Sequence, residues 1–168
     1  MTFTVGEGWR GTAYGDLGFD LVQLGSGEPQ VMSAVPYGGV VYSDVCSGGE
    51  TMEIGAGAAD LVAYVSSRPG ITPRGVSTET TIGDLDGVQI DVDAGDPGCV
   101  SDPPDRLWLW DLDGVTDFHL NVGEAARIIA LDADGGVVVF VVETFDPPTF
   151  DALIHMVQPT LDSMVFGG

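Results

Sequence analysis

The chain has 168 residues, with 26 acids set against five arginines and no lysine, for a formal charge of -21. Such a surface repels phosphate backbones and anionic headgroups, which excludes nucleic acid and membrane surfaces as partners. It leaves cationic ligands, divalent metals and basic proteins.

The length fits one domain, and roughly 70% of the unfolded surface can be buried at this size. A hydrophobic fraction of 44% and a mean hydropathy of +0.23 argue against disorder. Nineteen of the acids are aspartate, spread along the chain, which reads as a solubility device or an adaptation to high salt or a GC-rich genome. The longest apolar run, "VVVFVV" (Val137 to Val142), is strand-sized, so no membrane insertion is expected. The opening "MTFTVGEGW" lacks a basic stretch followed by an apolar one. Either the protein is cytoplasmic, or a leader and anchor lie outside this sequence.

In chain order, the first third predicts glycine-broken strands: Thr2 to Val5, Gly18 to Leu24, Gln30 to Val35 and Gly39 to Val45. In the second, Phe19 and Leu21 alternate with Asp20 and Val22. "AADLVAYVSS" predicts a short helix, Ala58 to Ser67, stopped by Pro69-Gly70. "TETTIGDLDGVQIDVDAG" predicts a hairpin with Asp-Gly turn chemistry, and "RLWLWDL" with "DFHLNV" predicts another around "DGVT". The clearest hairpin is "ARIIALDADGGVVVFVVET", turning at Ala133 to Gly136. Its second strand is apolar on both faces and therefore belongs centrally, with a layer on each side.

The C-terminal segment carries Phe150, Leu153, Ile154, Val157, Leu161, Met164 and Val165 at intervals of three and four, one helical stripe. Thr149 is the expected N-cap, and Pro159 predicts a kink without a break, because the carbonyl of His155 lies on the polar face. The class is α+β: a largely antiparallel sheet flanked by helices in a single domain over residues 1–168, closed by a long C-terminal helix.

Cys46 and Cys99 both sit among turn residues, without a neighbouring Cys or His at metal-ligand spacing and without an adjacent cation to hold a thiolate. A disulfide between two loops is the better reading, and it implies an oxidising compartment. Closing that loop removes about 4 kcal/mol of unfolded-state entropy on the chain-entropy model.

Four aspartate pairs recur, Asp84/Asp86, Asp91/Asp93, Asp111/Asp113 and Asp132/Asp134. None supplies the ligand set of an EF-hand, and three read "DxDG", which hairpin turns explain. "GAGAAD" (Gly55 to Asp60) lacks the third glycine of a dinucleotide fingerprint, and "GSG" at Gly25 to Gly27 lacks the spacing of a nucleophile elbow. His155 falls on the polar face of the last helix, one turn after Asp151. His119 alternates with Phe118 and Leu120, so it shares a polar strand face with Asp117 and Asn121. No catalytic residue, cofactor or metal ligand is assigned.

Period two puts Arg106, Trp108 and Trp110 on one strand face. With helices over both faces of the sheet, the rings read first as core beneath a helix, and second as a ligand groove in which Arg106, Trp108 and Trp110 meet an unknown small molecule or protein.

Taken together, "FTVGEGW", "TTIGDLDGVQIDV", "CVSDPPDRLWLW", "FHLNVGEAARIIALD" and the "VVVFVVETFDPP" to "LDSMVF" stretch resemble uncharacterised secreted or lipid-anchored proteins of actinobacterial type. The order of elements is similar to the PsbP-like (LpqN-type) α/β/α sandwich. The resemblance implies an extracytoplasmic setting, secreted or membrane-anchored, and brings no catalytic set. The function expected first is a non-catalytic binding or sensor module. The alternatives are a hydrolase using carboxylates in a sheet-edge cleft and a calcium-dependent binding domain.

Overall fold

The computed structural model describes residues 1–13, 18–23, 30–99, 105–112 and 116–166. The strands are β1 (Trp9–Ala13), β2 (Phe19–Gln23), β3 (Gln30–Tyr37), β4 (Val40–Tyr42), β5 (Thr51–Glu53), β6 (Ile71–Pro73), β7 (Thr78–Ile82), β8 (Leu85–Ala94), β9 (Arg106–Leu112), β10 (Thr116–Asn121), β11 (Ala125–Ala133) and β12 (Gly136–Thr144). The helices are α1 (Ala58–Ser66) and α2 (Phe150–Asp162). Eight strands make a large antiparallel sheet in the order β1-β2-β3-β12-β11-β8-β6, with β7 also paired to β8. Four more make a second sheet, β10-β9-β4-β5.

β12 is central, as its two apolar faces require. On its inner face Val141 aligns with Ile128 and Ile90, in a core shared with α1 and the small sheet. On its outer face Phe140 aligns with Ile129, Ala34 and Phe19, beneath Leu153, Val157 and Leu161 of α2. Each such apolar side chain contributes about 1.5–3 kcal/mol on burial. The second cover on the inner face is thus α1 together with a sheet. That corrects the expectation of helices alone, and the cause is local: the chain leaves the large sheet through Gly38 and Gly39 and starts β4 above it.

Other expectations change in detail. Thr2 to Val5 is no strand; Thr2 makes only a bridge to Val165, and the first strand is β1. Short β5 and β6 carry no apolar alternation that would announce them. The β7–β8 turn is Gly83-Asp84, because Ile82 pairs with Leu85. Gly83 has φ +61°, and Asp86-Gly87 lies within β8. A Cβ on Gly87 would come within 1.9 Å of the Ala130 carbonyl, so this glycine permits the close approach of β11.

α2 passes through Pro159 as one helix, entered by a 3-10 turn at Pro147–Thr149. The Thr149 hydroxyl does not cap the helix but donates to the Asp146 carbonyl, at 2.8 Å. Val165, expected in the buried stripe, is exposed beyond the helix end. α1 begins where the sequence placed it, its first N–H groups covered by Asp132 (2.8 Å to Ala58 N) and Asp60.

No helix among the described residues is long and apolar enough to cross a membrane. Cys46 and Cys99 form a disulfide, with their Cα atoms 5.3 Å apart, consistent with an oxidising compartment.

Candidate functional site

The tryptophans were the first candidates, and the structure separates them. Trp110 is fully buried, stacked on Phe118 (centroids 4.1 Å apart) and edge-on to Tyr37. It lies in the core between the sheets, in one cluster with Leu61, Val62 and Val65 of α1, because β9 belongs to the small sheet. Trp108 is half-buried, and neighbours surround it. His119 tilts against its ring at 5.1 Å, Tyr42 meets it edge-on at 6.0 Å, and the guanidinium of Arg106 stands 6.0 Å from its centroid. A Cβ on Gly48 would lie 3.3 Å from the indole, so the Cys46 loop closes on the ring. Whatever surface the pair offers a ligand comes from Trp108 and Arg106.

A bulge makes this cluster. Trp110 pairs with Phe118 and Trp108 with His119, so two steps along β9 meet one step along β10. Phe118 and His119, neighbours in sequence, therefore both pack on the tryptophans, and the strict alternation expected for His119 fails. Burial, followed by the nearby Arg106 charge, lowers the His119 pKa. Residues 113–115, which connect the strands, lie outside the described residues, as do Gly25 to Gly27.

The more open geometry is on the other side of the molecule. α2 covers the centre of the large sheet and shares a core with Ile82 and Leu85 at the turn end of β7–β8. It leaves the sheet open beside Arg127, Gln89 and Asp91, and the step there forms a groove. A cleft of about 430 Å³ is lined by Arg127, Asp151, Ile154, His155 and Gln158. A second, of about 200 Å³, continues past Arg127 along Gln89, Asp91, Thr78 and the Arg74 loop. The helix wall follows from spacing: Asp151, His155 and Gln158 stand at i, i+4 and i+7.

Arg127 stands on the outer face of β11 directly opposite Asp91 of β8. Its Nε and one Nη donate to the two carboxylate oxygens, at 2.6 and 2.8 Å. Such a fork fixes the guanidinium plane. Arg74 donates to Asp93 (Nη 2.7 Å, Nε 3.0 Å) and lies over the Phe150 ring at 4.6 Å. Two of the five cations in the chain thus frame one groove, each already neutralised by an aspartate. Asp151 has no ion pair or side-chain hydrogen bond among the described residues.

The sequence reading did not single out Arg127 or Arg74. The available signal was an arginine inside the most apolar hairpin, in a chain with five cations. The aspartates read as turn or calcium candidates have other work: Asp91 and Asp93 hold arginines, Asp86 accepts from Thr81, and Asp132 covers the start of α1. Among the described residues no three His, Cys, Asp or Glu side chains stand together so as to hold a metal ion.

The carboxylates with displaced acidity are elsewhere, on the inner side of the large sheet. Burial raises the Glu143 pKa to about 8, with the nearby Glu124 and Asp20 charges adding to it. Glu124 is also raised by burial, against the N–H donors of Asn121 that hold it ionised. The chain matches no protein-family model and no curated protein sequence.

Proposed function

We propose that this chain is a non-catalytic binding or sensor module working outside the cytoplasm, and that it binds a small polar ligand in the groove between α2 and the β7–β8 edge. The observation that carries this reading is the groove itself. Its larger cleft falls within the ~300–1,000 Å³ typical of small-molecule sites, and its charged floor is fixed by the Arg127–Asp91 fork. The fork holds the Arg127 guanidinium in plane and neutralises its charge, so the floor keeps one geometry without a ligand, which is what recognition needs from a site that performs no chemistry. The disulfide supports the extracytoplasmic setting. The central sheet between α2 and α1 supports the PsbP-like (LpqN-type) resemblance, with the small sheet beside α1 as its departure.

A plugged groove tests the reading. Gln158→Trp, on the exposed wall of α2, leaves the melting temperature unchanged and abolishes every thermal shift that small polar compounds produce in the parent. Equal shifts in parent and plugged variant would place binding elsewhere, with the Trp108–Arg106 surface next to be tested.

A further inference from the structure

We infer that the ligand of this groove is a small organic cation carrying N–H donors, an amine or a guanidinium, with Asp151 as its counter-ion. The inference rests on the groove reading above and adds the chemical class. It follows from counting charges by what they already touch. Arg127 and Asp91 cancel in a two-bond fork, and Arg74 and Asp93 cancel beside it. What remains is Asp151, on the helix wall of the larger cleft. An anionic ligand would have to meet that carboxylate and approach through the field of a chain at -21. A cation is drawn by both.

The remaining lining sets the rest of the ligand. Ile154 offers an apolar contact for a short carbon chain. The Gln158 amide nitrogen is occupied by Asp162, at 2.7 Å, which orients its side chain and leaves its carbonyl oxygen as an acceptor for a second N–H group. His155, one turn from Asp151, lines the same wall. A two-ended cation with a few methylenes between its nitrogen groups matches acceptors on either side of an aliphatic patch.

The test is calorimetric titration of the intact chain at a fixed ionic strength of about 150 mM, so that screening is constant. The probes are putrescine and agmatine as cations, succinate as an anion and glucose as a neutral polyol. The expected result is saturable one-site binding of putrescine or agmatine. Asp151→Asn weakens it at least tenfold, Gln158→Trp abolishes it, and Asp134→Asn, which removes the same charge from the β11–β12 turn, leaves it unchanged. Equal weakening by the two asparagine variants would mean a bulk field effect and would overturn the assignment to Asp151. Binding of succinate or glucose in place of the cations, lost in Gln158→Trp, would overturn the ligand class and keep the groove. If no probe distinguishes the parent from Gln158→Trp, the cation assignment falls together with the groove reading.

Discussion

The two faces of the large sheet handle charge in opposite ways. On the inner face Glu143 is partly buried and Glu124 fully so, and burial drives their acidity down. On the outer face, where α2 leaves this part of β8 open, Asp91 and Asp93 meet arginines and remain partly in contact with water. A carboxylate closed in without a cation is held towards its neutral form, whereas one paired at an open step becomes part of a surface. The closed face stabilises the fold, and the open face carries the groove.

The largest expected effect is on the closed face. Trp110→Ala should cost about 4 kcal/mol in a denaturant melt, because a fully buried indole stacked on Phe118 leaves a cavity its neighbours only partly fill. Trp108→Ala, at the half-buried position, should cost less than half of that. Equal losses at the two sites would erase the distinction between a core ring and a peripheral one.

Next comes the covalent tie. Cys46→Ser with Cys99→Ser should lower stability by about 3 kcal/mol, within the range for loss of a native disulfide. It should also change Trp108 fluorescence, because the Cys46 loop packs on that ring. An unaltered emission spectrum would show that the loop holds its place without the bridge.

Glu143 gives a pH signature. Its folded pKa of about 8 exceeds the ordinary 4.5, so between those values the folded chain keeps a proton that the unfolded chain has lost. Stability from this group is complete below about pH 4.5 and is lost as pH rises through about 8. Glu143→Gln should therefore match the parent near pH 4.5 and exceed it by a margin that widens steadily until about pH 8 and then levels off, with the gap read from urea melts across that range. A gap that is constant with pH would place the Glu143 carboxyl in water.

The smallest effect belongs to the open face. Arg127→Met should cost about 1 kcal/mol, since an ion pair in contact with solvent adds little net stability. A loss above about 3 kcal/mol would make the pair a buried structural element and bring the two faces closer in kind.

Much of this architecture was legible in the residues. The period of α2, the two-faced apolarity of β12 and the Ala133 to Gly136 turn each follow from local rules, and each stands where those rules put it. The disulfide was legible by elimination, as two loop cysteines without metal or thiolate chemistry. The groove was not. Arg127 is one letter in an apolar strand until β8 brings Asp91 opposite it, and α2 shows only a polar stripe until its short reach leaves that part of β8 uncovered. The bulge that sets His119 against Trp108 also escaped, because alternation assumes an unbroken register.

By itself, then, the sequence determined the helices, the central hairpin and the crosslink, because hydrophobic periodicity, turn chemistry and cysteine count act over short stretches or by composition. Tertiary structure alone decided that β9 and β10 form a separate sheet, that two aspartates hold arginines while two glutamates lose their acidity, and that a groove opens beside α2. Pairing, burial and open space belong to residues far apart in the chain, and they take their values only once the layers have packed.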